Sequence, residues 1–468
     1  MQKSPRRQTS FLTPQLGRLG LTAVIFFVVS GGAYGLEPLV GALGAGWAVV
    51  LILATPVLWC LPIALMSSEL ASAIPDEGGY YIWVRRALGE FWGFQEGWWT
   101  LCYTAVDMAL YPALFVDYLG YFYPSLAYTG HGTASVMMGR WGVALAVIAT
   151  GFFANWLGIR VVGKSSELSM ALVLGPFAVI TAIAFSRSGA WSSAFAAVTS
   201  GFSHGHSGHL LALGFATILW NYSGWDNVST FAGEVKDARR SYPFALGAAQ
   251  VLITAAYILP VLAGLSVTTS PSLWSESAGW PDIARLMAGP WLGIAAAAVA
   301  LVSAWSMFSS QLLYISRLPY AMAREGWLPE VLTRLSGPAQ VPTVTLAAAC
   351  AVAGAFAIFP FTKLVVLDIL LYAVEVFLEF IALMALRSNS PGMERPFRVP
   401  GGWPGLIAIT VSPMALAAIV AAESLRGAHS GLAQLAVIPA MIVSGVILYK
   451  VMRARRQRTP SPASRLSV

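Results

Sequence analysis

The amino-acid sequence predicts an all-α polytopic membrane protein with about twelve transmembrane helices. Hydrophobic residues occupy 57% of the 468 positions and charged residues only 10%, whereas an average soluble protein has about 25% charged residues. Apolar stretches long enough to cross a bilayer recur along the whole chain. The predicted spans are 18–44, 47–73, 91–123, 137–158, 165–186, 210–232, 243–267, 290–315, 341–361, 363–386, 404–423 and 431–451.

The basic residues support this number of spans. Most of the 28 Lys and Arg residues lie in every second predicted loop, and the positive-inside rule places those loops and both termini in the cytoplasm. One missed helix would invert every later loop and remove this asymmetry. The net charge of +7 is therefore a topology signal. We expect an integral protein of the plasma membrane that contacts the lipid bilayer and binds no nucleic acid.

The chain lacks the motifs of catalytic, cofactor and metal sites. It has no HExxH or GxSxG pattern, and no histidine lies inside a predicted span to act as a base. The three cysteines lie in apolar stretches, as core residues do. His204, His206 and His209 alternate with Gly and Ser, which is more typical of a solvated loop than of a metal site. We expect no enzymatic activity, no cofactor and no bound metal.

Span 6 carries polar residues where a lipid-facing helix would not tolerate them. Asn221, Ser223, Gly224, Asp226 and Asn227 lie in the middle of an apolar stretch, and a charge at mid-bilayer costs at least about 2.5–3.5 kcal/mol. A helix that breaks at a glycine beside a carboxylate is typical of transporters, which hold a polar solute there. The alternative is a continuous helix packed through its glycine, with the aspartate hydrogen-bonded inside the bundle.

Span 1 shows a second candidate break, at the glycine-rich segment from Ser30 to Gly35. Five spans separate the two breaks, so two five-helix units would have opposite orientations in the membrane. Close packing of small residues is the alternative for span 1. The predicted organisation is an N-terminal tail, two inverted five-helix repeats, two additional helices and a basic C-terminal tail, at 1–17, 18–186, 210–386, 404–451 and 452–468.

Four stretches of the chain resemble one transporter superfamily. They are SGGAYGLEPLVGALG, ELASAIPDEGGYYIWVRRALGEFWGFQEGWW, LWNYSGWDNVSTFAGEVKDARRSYPFAL and SRLPYAMAREGWLP. Together they are similar to the amino acid–polyamine–organocation superfamily, and in detail to its polyamine-uptake and L-type amino acid branches. The resemblance implies a LeuT-like five-plus-five inverted repeat. It also implies alternating access around a site between spans 1, 3, 6, 8 and 10.

The resemblance also implies site residues at the two breaks. In span 1, the backbone of Gly31, Gly32 and Ala33 would bind a substrate carboxylate, with Ser30 and Tyr34 as polar neighbours, because a helix N-terminus attracts anions. In span 6, the residues of the break would hold an amine, and the tryptophan would close over it through a cation–π contact. These span 6 candidates are Trp220, Asn221, Gly224 and Asp226.

Other spans contribute further candidates. Asp107 lies in span 3 at about the depth of the breaks, and an intramembrane carboxylate is a functional candidate by default. Glu375 and Glu379 are four residues apart on one face of span 10, where mutual repulsion favours proton binding. Gln311 in span 8 is a weaker substrate candidate. Structural hydrogen bonding is the alternative for Asp107, and packing of a polar stripe is the alternative for the span 10 glutamates.

These acidic residues predict a cationic substrate, because we find no basic residue in the interior of a span that would neutralise them. The sequence therefore predicts a secondary active transporter for amino acids or polyamines with the proton as coupling ion. The proton-coupling candidates are Asp107, Glu375 and Glu379. An amino acid exchanger is the alternative, and a receptor that does not transport its solute is a weaker one. Sodium coupling stays open at this point.

Overall fold

The computed structural model describes residues 14–126, 134–202, 208–274, 278–337, 339–359, 361–426 and 430–458. Within these ranges the chain is almost entirely helical, and its only β-type pairings are two isolated bridges. This confirms the predicted all-α class. The histidine cluster in the loop before span 6 and the end of the C-terminal tail lie outside the part of the chain described or have no described side chains.

Seventeen α-helices are present in the described ranges. They are α1 Arg18–Val29, α2 Glu37–Thr55, α3 Leu61–Ala73, α4 Gly79–Leu88, α5 Glu90–Leu119, α6 Ala134–Trp156, α7 Ile159–Ser186, α8 Ala190–Ser200, α9 Gly208–Asn221, α10 Ala238–Leu265, α11 Pro271–Trp274, α12 Trp280–Ala288, α13 Pro290–Arg324, α14 Thr343–Phe356, α15 Phe361–Asn389, α16 Gly402–Arg426 and α17 Ser430–Arg458. A π-helical turn, Pro56–Cys60, connects α2 and α3, and a 3₁₀ segment, Asn227–Glu234, follows α9.

The predicted spans correspond to helices of the structure. Among the described residues, nine helical segments are long and apolar enough to cross a membrane, and three shorter apolar helices account for the remaining predicted spans. The short ones are α1, α9 and α14. The first long segment runs over Glu37–Ala73 and bends at Gly44, which has a φ of 78°. The end of span 1 and all of span 2 are therefore continuous in helical hydrogen bonding but differ in direction.

The first break separates α1 from α2. Gly32 and Gly35 have φ values of 82° and 86°, a left-handed region that only glycine enters readily. Glu37 opens α2 and accepts hydrogen bonds from Gly35 N at 2.8 Å, Tyr118 Oη at 2.7 Å and Trp280 N at 3.3 Å. These donors hold the broken backbone in place and satisfy a fully buried carboxylate.

The second break lies between α9 and the 3₁₀ segment. Gly224 has a φ of 97°, and a Cβ atom there would stand 2.9 Å from the carbonyl oxygen of Val28. Asn221 donates its side-chain amide to Gly35 O at 3.3 Å and accepts a hydrogen bond on its carbonyl from Tyr257 Oη at 2.5 Å. The two breaks therefore touch each other in the interior of the bundle.

Three long helices surround the breaks. The central helix α5 packs against both α13 and α15, and α1 packs against α7, α10 and α13. The short helix α4 covers α5 and α15 at one end and also contacts the 3₁₀ segment. This arrangement brings residues of α1, α5, α9, α13 and α15 to one central region.

Candidate functional site

A small cavity lies beside the point where the two breaks touch. Helices α1, α5, α9, α13 and α15 all contribute to its wall, together with the break that follows α9. The lining residues are Val28, Val29, Tyr103, Asp107, Tyr111, Trp220, Ser223, Gly224, Asn227, Met307, Gln311, Asp368 and Tyr372.

Asp107 is the most extensively hydrogen-bonded acid of the cavity. Its Oδ1 accepts hydrogen bonds from Tyr111 Oη at 2.6 Å and from Trp220 Nε1 at 3.3 Å. Its Oδ2 accepts a longer one from Tyr314 Oη at 3.4 Å. Tyr111 follows Asp107 by four residues on α5, so the helix itself places this pair together. These donors orient the carboxylate, but none of them carries a compensating positive charge.

Asp368 on α15 is a second acid in the same wall. It is buried, and its Oδ1 has no hydrogen-bond partner. Gln311 on α13 donates its amide to Val28 O at 3.1 Å and contacts the Tyr111 hydroxyl, while its Oε1 is unpartnered. A buried acceptor without a donor costs roughly 1–3 kcal/mol. The free oxygens of Asp368 and Gln311 are thus available to a solute with N–H groups.

Aromatic rings form one side of the cavity. The rings of Trp220 and Tyr111 are stacked, with centroids 5.9 Å apart and an interplanar angle of 30°. Phe361 meets Trp220 edge-on, at a centroid distance of 5.0 Å. The tryptophan thereby lies beside Asp107, so a cation held by the carboxylate would also meet an aromatic face.

Tyr372 connects the cavity to Asp226. Its hydroxyl donates to Asp226 Oδ1 and accepts a hydrogen bond from Gly224 N at 3.1 Å. Asp226 is fully buried, and its Oδ2 has no partner. Nearby, Tyr103 Oη donates to Asn227 Oδ1 at 2.8 Å. The Tyr372 hydroxyl thus replaces a backbone partner that Gly224 N has lost at the break.

The span 6, span 3 and span 8 candidates converge on this site. Asp107, Trp220, Gly224 and Gln311 line the cavity. Asp226 lies directly behind Tyr372 and outside the lining. Asn221 also lies outside the lining and holds the two breaks together, as described above.

The span 1 candidates surround the first break but are not among the lining residues. Ser30 Oγ accepts a hydrogen bond from Gly32 N at 3.1 Å, and Gly31 O accepts one from Ser303 Oγ at 2.5 Å. The remaining two residues also have partners: Ala33 O accepts from Trp280 Nε1 at 2.7 Å, and Tyr34 Oη donates to Ala296 O at 2.8 Å. Their role in binding a carboxylate stays a prediction.

The span 10 glutamates form a cluster with a third acid, Glu96 of α5. Carboxylate oxygens of Glu96, Glu375 and Glu379 all lie within 4.8 Å of one another, and all three residues are buried. Thr100 Oγ1 donates to Glu375 Oε1 at 2.8 Å. The other oxygen of Glu375 and all oxygens of the remaining two acids have no hydrogen-bond partner. We call these three residues the glutamate cluster.

Two buried acids outside the central region, Glu69 and Glu234, have arginine partners. Arg317 binds Glu234 at 2.9 Å, and Arg387 Nε binds Glu69 at 2.8 Å. Both arginines lie just outside the predicted spans 290–315 and 363–386, but the structure buries them on α13 and α15. In the described ranges, no arginine or lysine forms an ion pair with the central acids. The central acids are Glu96, Asp107, Asp226, Asp368, Glu375 and Glu379.

Comparison with known proteins establishes the family. A family model described as amino acid permease matches residues 16–447. The chain belongs to this amino acid permease family. The predicted membership of the amino acid–polyamine–organocation superfamily is thereby confirmed.

Relatives of the permease include several polyamine transporters of plants. A probable polyamine transporter of Arabidopsis thaliana is 31% identical over 453 residues, which cover 96% of the permease and 86% of the relative. A polyamine transporter of Oryza sativa subsp. japonica is 35% identical, over 86% of the permease and 73% of the relative. A polyamine transporter of Arabidopsis thaliana is 32% identical, over 86% of the permease and 79% of the relative. The permease is therefore an integral membrane transporter and not an enzyme.

Two acids of the central region were missed by the sequence analysis. Asp368 lies seven residues before Glu375, and Glu96 lies eleven residues before Asp107. Both separations place a side chain on the same helix face as its partner, because they are close to whole numbers of helical turns. Extending the helical periodicity from the two recognised acids would have found both.

Proposed function

We propose that the permease carries polyamines or related cationic amines across the plasma membrane. The observation that carries this proposal is the buried pair Asp107 and Asp368, which face one cavity without a basic partner. An uncompensated buried carboxylate is costly. A cationic solute offsets that cost, whereas an anionic one increases it. The printed names of the plant relatives support the same substrate class.

An ammonium group would bind between these two aspartates and beside Trp220. The carboxylates would accept its N–H groups, and the ring of Trp220 would add a cation–π contact of about 0.5–2 kcal/mol. Gln311 Oε1, which has no partner, would accept a further N–H. The methylene chain of the solute would lie against Val28 and Met307, which also line the cavity.

Transport would follow alternating access around this cavity. We propose that residues 18–186 and 210–386 form the two inverted repeats, and that 404–451 is an addition to them. The paired breaks support this, because they meet at the cavity and carry backbone groups outside regular helices. A pair of broken helices also favours a transporter over a receptor that only binds its solute. Both termini would face the cytoplasm, as the distribution of basic residues indicates.

Proton coupling is part of the proposal. Asp107, Glu375 and Glu379 are the groups that would carry protons, because each is buried and none has an arginine or lysine partner among the described residues. Intramembrane carboxylates of this kind serve as proton relays in transporters. The coupling could drive uptake or exchange with the same residues.

Amino acids are the second candidate substrates, favoured by the family description. In that case the backbone of Gly31, Gly32 and Ala33 would bind the carboxylate of the substrate. Its amine would bind at the second break. The acids would then mainly handle protons.

Uptake into proteoliposomes tests the proposal. Labelled putrescine, spermidine, arginine and leucine would be compared with and without an inward proton gradient. Gradient-dependent accumulation of either polyamine supports the proposed function. Accumulation of leucine or arginine alone would reassign the permease to amino acids. Accumulation that does not depend on the proton gradient would contradict proton coupling.

A further inference from the structure

The acids of α15 form a line along one helix face. Asp368, Tyr372, Glu375 and Glu379 stand at relative positions 0, 4, 7 and 11, and such spacings place side chains on one face of an α-helix. At 1.5 Å per residue, Asp368 and Glu375 are separated by about 10 Å along the axis, and Asp368 and Glu379 by about 16 Å. The line therefore extends from the cavity to the glutamate cluster.

Helix α5 carries a matching line in the opposite direction. Its acids Glu96 and Asp107 are also eleven residues apart, about three helical turns. Asp107 shares the cavity with Asp368, whereas Glu96 shares the cluster with Glu379. The two helices are thus antiparallel, and they bring acids together at two levels.

Asp226 lies between these two levels. It comes from the break after α9, and Tyr372, which lies between Asp368 and Glu375 on α15, donates a hydrogen bond to its Oδ1. Its Oδ2 is buried and unpartnered. Three levels of carboxylate thus follow one another, each with at least one oxygen that has no hydrogen-bond donor.

A buried hydroxyl at the glutamate cluster is a separate indication of a ligand. Tyr80 of α4 is fully buried, and its Oη has no hydrogen-bond partner. Helix α4, which carries Tyr80, packs on both α5 and α15, the helices that carry the glutamates. Leaving such a hydroxyl unpaired is costly. A ligand with several N–H donors would satisfy the hydroxyl together with the carboxylates.

We propose that the permease binds a linear polyamine lengthwise along this line of acids. One terminal ammonium would lie at Asp107 and Asp368, an inner one at Asp226, and the far terminal one at the glutamate cluster. The inference rests on the proposed function and specifies it further. The glutamate cluster acts as a distal subsite that selects substrates by length.

Chain length decides which amines reach the distal subsite. With single bonds of about 1.5 Å in a zigzag, the nine bonds between the terminal nitrogens of spermidine extend over roughly 11 Å. The five bonds of putrescine extend over roughly 6 Å. The triamine therefore matches the rise of about 10 Å from Asp368 to Glu375, and the diamine does not. Putrescine would engage only the cavity end.

Equilibrium binding to the purified permease tests the distal subsite without transport or a proton gradient. Affinities for putrescine and spermidine would be measured for wild type, Glu96→Gln, Glu379→Gln and the control Glu330→Gln, whose carboxylate is exposed. In wild type we expect tighter binding of spermidine. In E96Q and E379Q we expect the ratio of spermidine to putrescine affinity to fall at least tenfold, and in E330Q we expect no change.

Tyr80→Phe is a second, milder variant that removes only the hydroxyl. It should lower the ratio of spermidine to putrescine affinity by a smaller factor. If the glutamine variants do not fold, this variant alone tests the distal subsite. An equal loss of spermidine and putrescine affinity in E96Q, E379Q and Y80F would overturn the distal subsite and assign the cluster a general electrostatic role. A third outcome would reassign the cluster to an inorganic cation. Ca²⁺ or Na⁺ would then protect wild type but not E379Q from thermal unfolding, and the ratio of spermidine to putrescine affinity would not change in the variants.

The two proposals fail in different ways. If wild type binds neither amine, the proposed function itself is wrong. If wild type binds both amines and the ratio does not change in E96Q, E379Q and Y80F, only the distal subsite is wrong.

Discussion

At the scale of single residues, the acids of the cavity differ from other buried acids of the bundle in their hydrogen-bond and ion-pair partners. Glu37 receives three hydrogen bonds, and Glu69 and Glu234 have arginines. Asp107 has only neutral donors, and Asp368 keeps a free oxygen. A buried carboxylate needs a positive partner or a proton to offset the free-energy cost of its desolvation. Both acids are therefore better explained by binding than by stability.

Replacement of Asp107 tests this explanation. Asp107→Asn is expected to weaken putrescine binding at least tenfold, since losing one partner of a buried charge pair costs about 2–5 kcal/mol. The measurement is equilibrium binding of labelled putrescine to the purified variant. Glu330→Gln removes an exposed carboxylate and serves as the control. Wild-type affinity in the Asp107 variant would exclude this residue from the site.

Trp220 makes two separable contributions. Its indole nitrogen donates to Asp107, and its ring forms part of the aromatic wall. Both Trp220→Phe and Trp220→Leu remove the donor, but only the leucine variant removes the ring. We expect the leucine variant to bind putrescine several-fold more weakly than the phenylalanine variant, because a cation–π contact contributes about 0.5–2 kcal/mol. Equal affinities of the two variants would show that the ring contributes nothing.

At the scale of elements, the two broken helices depend on one close contact. The backbone at Gly224 approaches Val28 of α1, and its φ of 97° disfavours any side chain. The opposite partner in the contact is a carbonyl oxygen, which has no flexible end that could move aside. Glycine at this position therefore serves both the conformation of one break and its contact with the other.

Gly224→Ala tests this contact. We expect strongly reduced transport, because the added Cβ would meet Val28 O at 2.9 Å and would hold a strained backbone. The matched control is Gly247→Ala in α10, where a Cβ would meet nothing within 4 Å. The control should transport normally and gain about 0.5–1 kcal/mol of stability, the usual helical preference for alanine. Normal transport by the Gly224 variant would show that the approach of the two breaks is not required.

Sequence patterns predicted the elements better than the site. Apolar stretches, alternating basic loops and two interruptions that contain glycine predicted the spans and both breaks, because membrane insertion constrains each helix separately. Asp107 was recognised by its depth, and Trp220 by the resemblance to the superfamily. Asp368 and Glu96 were missed, since their significance depends on how α5 and α15 rotate toward each other. That rotation arises from packing across the bundle, which no single stretch of sequence records.

At the scale of the whole molecule, arginine pairs and the unpaired acids have separate places. Glu69 of α3 binds Arg387 of α15 and lies 3.3 Å from Arg395 in the segment that follows α15. It also accepts a hydrogen bond from Val399 N at 2.7 Å. This one carboxylate thus connects α3 to the end of α15 and the segment after it, which are far from α3 in sequence. The pairs therefore connect the helices of the frame, whereas the proposed function assigns the unpaired acids to the solute.

Removing Glu69 should therefore lower stability without a specific effect on substrate affinity. Glu69→Ala leaves two arginines without their partner in a buried position, and such a loss costs about 3–5 kcal/mol. The midpoint of thermal unfolding in detergent would measure this loss, with Glu90→Gln as the control. Glu90 pairs with Arg456 at 3.0 Å on the exposed surface, where an ion pair is worth at most about 1 kcal/mol. If E69A unfolds at the temperature of E90Q, the buried network does not hold the frame. If it instead changes the ratio of spermidine to putrescine affinity, the separation between frame and site is wrong.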